Sequence, residues 1–202
     1  MELNNALDIC NLAVSLIGNF GSIMNIDQPN TDKEALFARW VDITRENALI
    51  EIKPNFAISE RTIGLNPDAI RKRLVGYEYP SDCLQILSVD GFDTTIPPIE
   101  ENHIWVSKPL EGGLTIRFIR NITDVTKMSS TFKMGWACML AANVAMDMTQ
   151  DARKVKAIRD ALPVTMANIS ANSSQENRPV IVARSSYQKA RVTGVGREYR
   201  RL

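Results

Sequence analysis

Hydrophobic positions are densest between residues 129 and 150, SSTFKMGWACMLAANVAMDMTQ. Phe132, Trp136, Met139, Leu140 and Val144 follow at steps of three and four, which puts them on one face of a helix. Met134, Cys138, Ala141, Ala145 and Met148 repeat the step on a second face, and only Lys133, Asn143 and Asp147 interrupt the two. A helix apolar around most of its circumference needs neighbours on several sides. The pattern therefore predicts the central rod of a helical bundle, with Ser129 or Ser130 as its N-cap. Its apolar run, Met134 to Met146, is too short to cross a bilayer.

Three more helices are predicted around it. Over 3–17, Leu3, Leu7, Cys10, Val14 and Ile17 line one side with Ala6 and Ala13 beside them, while Asn4, Asp8, Asn11 and Ser15 face out and Gly18 terminates. The stretch GNFGSIMNIDQPN then reads as a loop. Thr31 and Glu34 have the spacing of a capping box and open a helix over 31–53, with Leu36, Phe37, Trp40, Val41, Thr44, Ala48 and Ile52 as its buried face. Pro54 ends it, because proline has no N–H to donate. Val155, Ile158, Leu162, Met166 and Ile169 define a last helix over 151–171, which Pro163 is expected to kink or split.

Between the second helix and the central one the period changes. CLQILSV (83–89), IEENHIWVS (99–107) and LTIRFIR (114–120) are short, β-branched or aromatic, and partly alternating. Asp90-Gly91, Pro97-Pro98 and Gly112-Gly113 punctuate them. With RTI (61–63) and RLVGYEY (73–79) as weaker members, they predict one small antiparallel sheet of three to five strands inserted over about 56–122. The expected class is α+β, mainly a bundle of about four helices with a small inserted antiparallel β-subdomain and an extended C-terminal tail.

The totals fit that picture. The 202 residues are 45% hydrophobic and 23% charged, enough for a real core in one domain of ordinary size. MELNNALDIC lacks a basic-then-apolar start, so no export signal is expected. Cys10, Cys83 and Cys138 are odd in number and without spacing pattern, which favours reduced, buried thiols over bridges or zinc.

Charge changes the reading of the C-terminus. From Arg178 onward seven cationic side chains face Glu198 alone, a net of +6; the whole chain is +1, so residues 1–177 carry −5. Periodicity stops after Ala171, ANSSQENRP reads as a linker, and 171–202 is expected to be a flexible basic arm, disordered in the isolated subunit. Arginines with Tyr187 and Tyr199 suit a nucleic-acid arm, since cations displace counterions and aromatics stack on bases. They equally suit a protein interface, and a solubilising disordered end needs neither.

Catalytic patterns are sparse. His103, the only histidine, has no second histidine or patterned cysteine to build a metal site or acid–base pair, and reads as a surface strand or hairpin residue. Gly112-Gly113 lacks the Lys-Ser/Thr helix start of a phosphate loop, and no G-x-S-x-G elbow occurs. Arg153, Lys154, Lys156 and Arg159 read as a solvated helix face, and the methionines of the central helix as core filling. The chain does not read as an enzyme, and neither cofactor nor metal is expected.

Three stretches carry a resemblance. ALDICNLAVSLIGN with TDKEALFARWVDITRENALIEIKPNFA, then Tyr79-Pro80-Ser81-Asp82-Cys83-Leu84 before QILSV, then IRFIRNITDVTKMSSTFKMGWACMLAANVAMDMT, resemble in order and spacing the tail tubular protein A family, the head-to-tail adaptors of short-tailed bacteriophages. The similarity covers roughly residues 5 to 170, and departs where Pro54, in place of the family's usual tryptophan, precedes Asn55-Phe56-Ala57. The resemblance implies a structural virion protein, assembled in the host cytoplasm and located in the neck. It implies a homo-oligomeric ring, dodecameric in the family, that joins the portal protein to the tail nozzle protein, with tail fibres as further neighbours. DNA would pass through its channel without specific binding, and no membrane is involved. Arg178, Arg184, Tyr187, Lys189, Arg191, Arg197, Tyr199, Arg200 and Arg201 are then candidates for a docking arm onto the portal or a neighbouring subunit. A nucleic-acid-binding module using the basic tail, or another phage neck or head-completion protein, are the alternatives.

Overall fold

The computed structural model describes residues 3–18, 21–71, 73–92 and 99–175. The first helix, α1, is Ala6–Leu16 and starts later than its apolar pattern. Asn5 accepts from the Asp8 N–H at 2.8 Å while the Asp8 carboxylate accepts from the Asn5 and Asn4 N–H groups at 3.2 and 2.9 Å, a reciprocal cap that sets the start. Helix α2 is Asp32–Ile52, with Thr31 as N-cap and Lys53 in the left-handed region at φ 51° before Pro54. Helix α3 is Ser130–Thr149, with Ser129 accepting from the Phe132 N–H at 3.3 Å. Helix α4 is Ala152–Gln175.

Helix α3 packs against α1, α2 and α4, as its apolar circumference demands. Trp136 at its centre is fully buried and donates its indole N–H to Val41 O at 3.1 Å and to Thr44 Oγ1 at 3.2 Å, so a large side chain is buried with its one donor satisfied. At Gly135 the packing is close: a Cβ there would lie 2.7 Å from Ile52 Cδ1 and 3.3 Å from Ile169 Cδ1.

Helix α4 is not split at Pro163 and ends later than its periodicity predicts. It continues to Gln175, so Ala171–Gln175, expected as linker, extends the helix.

The β-insertion is larger than one small sheet. Strands β1 (Ile58–Ile63), β2 (Leu65–Arg71), β3 (Leu74–Glu78), β4 (Cys83–Val89), β5 (Ile99–Glu100), β6 (His103–Val106) and β7 (Leu114–Arg120) form two antiparallel sheets, ordered β1-β7-β4 and β2-β3-β6-β5. Ile63, Ile86, Val89, Leu114, Ile116 and Phe118 of the first sheet and Tyr77, Ile104 and Val106 of the second share one buried cluster. The chain is therefore an α+β mix of four helices and seven strands among the described residues, and the expectation of a mainly helical bundle is overturned. Each sheet covers the other's apolar face, which gives the strands a core of their own instead of a lid on the helices. Strand β2, LNPDAIR, escaped the pattern because Pro67, Asn66 and Asp68 are poor strand formers; as an edge strand it tolerates a residue without an N–H.

The two cores meet at β7. Leu114, Ile116 and Phe118 alternate into the sandwich, while Ile119 and Ile122 belong to the helical core with Phe132 and Trp136.

Candidate functional site

Two polar clamps hold the segment between α1 and α2. Asn11 accepts from the Ile23 N–H at 2.7 Å and donates to Ile23 O at 3.1 Å, so it faces the loop and not solvent. Glu34 accepts from the Met24, Asn25 and Asn30 N–H groups at 3.1, 3.1 and 2.9 Å. Its carboxylate thus serves the loop instead of returning to Thr31 as a capping box would, although Thr31 still accepts from the Glu34 N–H at 3.2 Å. The Asn30 amide first, then those of Met24 and Asn25 and the Thr31 hydroxyl, hold the Glu34 carboxyl below its ordinary value against the opposing effect of burial.

A charged junction ties α2 to the end of β7. Arg45, 6% exposed, contacts the Asp42 carboxylate and donates to Asn121 Oδ1 at 3.2 Å. Asn121 in turn donates to Glu46 Oε1 at 2.9 Å. Arg45 Nε is buried without a partner. A sequence signal existed: Arg45 occupies a core position on the stripe Val41, Arg45, Leu49, Ile52, and a charge there requires partners.

The surfaces open to partners are charged or grooved. Asp82 takes Arg120 Nε at 3.1 Å and Arg61 Nη1 at 3.7 Å, and the Arg61 guanidinium lies 5.7 Å from the Phe118 ring centre. Beside it a cleft of about 650 Å³ is rimmed by Arg61, Asn66, Glu78 and Tyr79. A second hollow of about 350 Å³ lies against Asn66, Arg71, His103 and Trp105. There His103 Nδ1 meets Glu101 O at 2.7 Å and Nε2 meets Asn66 Nδ2 at 3.3 Å. A carbonyl can only accept, so the Nδ1–H tautomer donates to it and Nε2 accepts from the amide. The imidazole is half-buried and committed on both nitrogens.

On α4, Arg153, Lys154, Lys156 and Arg159 are exposed, and no salt bridge ties them to a carboxylate among the described residues. Among the described residues no group of three or more His, Cys, Asp or Glu side chains could hold a metal ion, and no helix is long and apolar enough to cross a membrane. Burial pushes the Cys10 thiol up to about 12, with Asp42 adding to it, and the Cys83 thiol up to about 11, with Asp82 adding; burial raises Cys138 as well. All three are poor thiolates near neutral pH.

The described residues form a two-core α+β protein whose surface carries charged side chains of both signs and open grooves. No protein-family model and no curated protein matches the chain. The arm residues Arg178, Arg184, Tyr187, Lys189, Arg191, Arg197, Tyr199, Arg200 and Arg201 lie outside the described residues.

Proposed function

We propose that the chain is a structural head-to-tail adaptor, a subunit of a ring that joins a capsid portal to a tail nozzle and continues the DNA channel. The reading is carried by the order and spacing of its three family-like stretches. It is supported by where they fall: the first forms the paired α1 and α2, the second opens β4, and the third runs from β7 into α3. A closed ring needs two different patches on each subunit that meet head to tail. The exposed cations of α4, Arg153, Lys154, Lys156 and Arg159, offer one such patch, whose counterpart on the neighbour has to be acidic. Residues 178–202 are the docking arm in this reading, because guanidinium forks pair with carboxylates and tyrosine buries area with a polar tip.

The test is to mix the purified protein with its cognate portal and look for a cyclic complex by electron microscopy and native mass measurement. The adaptor reading expects a ring on the portal; no cyclic species at any ratio overturns it. A chain in which the seven arm cations are changed to Gln separates the alternative. A docking arm loses portal binding, whereas a nucleic-acid arm keeps it and loses salt-sensitive retardation of duplex DNA.

A further inference from the structure

Among the described residues, the second apolar face of α3 is left partly uncovered. Between α1 and α4 a groove of about 200 Å³ is lined by Leu16, Cys138, Ala141, Ile158, Leu162 and Thr165, and the lining is mainly apolar. Met134, one turn before Cys138 on the same face, is 41% exposed. The groove thus continues as an open apolar stripe toward the N-terminal end of α3.

The C-terminal end of α4 lies at that open end. Only Gln150 and Asp151 join α3 to α4, so the two helices run antiparallel as a tight hairpin. Consistent with this, Ile169 lies beside Gly135, near the start of α3. Chain leaving α4 at Gln175 is ten residues past Thr165, about 15 Å along a helix at 1.5 Å per residue. Residues 176–182, extended, span at most about 23–25 Å, so after a reversal of two or three residues Val182 returns to about the level of Thr165.

The sequence that arrives there is suited to the groove. Pro179-Val180-Ile181-Val182-Ala183 is the longest apolar run of residues 176–202, set between Arg178 and Arg184. Three β-branched residues lose little rotamer freedom on docking. The flanking arginines can stay in water at either end.

We propose that Val180, Ile181 and Val182 occupy this groove in their own chain, covering Cys138 and the Met134 stripe of α3. The geometry leaves the arm beyond Arg184 free for other partners, so the inference stands without the adaptor reading and needs no portal to test.

The experiment uses the full-length chain in two variants. In Val180→Asp/Ile181→Asp/Val182→Asp, which changes no residue of the two described cores, alkylation of Cys138 by N-ethylmaleimide is expected to run about tenfold faster than in the parent, followed peptide by peptide, with Cys10 unchanged as the internal control for global opening. In Ile181→Cys, mild oxidation with diamide should join Cys138 to the introduced thiol within one chain. An unchanged alkylation rate overturns the proposal. So does a bridge from Cys138 to the introduced thiol that forms only between chains, which makes the occupant a second copy, or no bridge at all.

Discussion

Glu34 carries the most consequential single-residue chemistry in the described chain. Three backbone N–H groups, of Met24, Asn25 and Asn30, point at one carboxylate, and each would be left without that acceptor if it were protonated or replaced. Because the folded carboxyl is held below its ordinary value, its contribution to stability is complete above the unfolded value and is lost as pH falls through the folded one. Hydrogen-exchange protection at Met24, Asn25 and Asn30 is therefore expected to fall with acid in the parent protein. Glu34→Gln should lower that protection at neutral pH and flatten its acid dependence; equal protection in the variant at neutral pH would show the clamp to be inert. The T-x-x-E spacing was legible as a helix start, but the carboxylate's loop partners were not, since they depend on how the preceding segment folds back over α2.

At the scale of elements, β7 is the strand on which both cores depend, and the turn that leads into it has no slack. Gly113 has φ +93°, and a Cβ there would sit 2.7 Å from Ile63 O, a backbone atom of the paired strand. Gly113→Ala adds a left-handed strain and a backbone clash at once, and is expected to cost about 2–3 kcal/mol, read from the urea midpoint at constant slope. Gly112→Ala meets nothing within 4 Å and carries the φ strain alone, so it should cost less. Gly112-Gly113 was readable as a turn; that the second glycine also admits β1 needed the register in which Ile63 faces Leu114. The helices were more legible than the strands. Their period, caps and terminators are written locally; the departures are in α4, which runs on through the exposed Pro163 and continues to Gln175.

For the whole molecule the question is how two cores unfold. Ile119 and Ile122 carry the strand β7 and its continuation into the helical core, and Arg45 reaches Asn121 from α2. This coupling predicts a single thermal transition reported alike by far-ultraviolet circular dichroism and Trp fluorescence. Arg45→Ala should cost about 2 kcal/mol, because Asp42 and Glu46 are partly solvated and regain water while Asn121 loses a charged donor. With Asn121→Ala added, the cost should be less than the sum of the two single changes. Full additivity would mean that the pair does not communicate. The adaptor reading belongs to this scale too, since a ring subunit must transmit load between a helical and a sandwich half without their separating.

The sequence alone determined the four helices, the insertion of strands between the second and third, and the helix α3 that requires cover on several sides. Each rests on i to i+4 periodicity, capping side chains or turn residues, which act within a few positions of one another. It also carried the family-like stretches from which the functional proposal comes. Tertiary structure alone decided that the strands make two sheets and a second core, that Asn11 and Glu34 face a loop, that Arg45 is buried against Asn121, and that the described helices leave a groove along one face of α3. Alternation assigns a strand's faces but not its partner. Ile58 finds Ile119 across the whole insertion, and only the packed chain makes that choice.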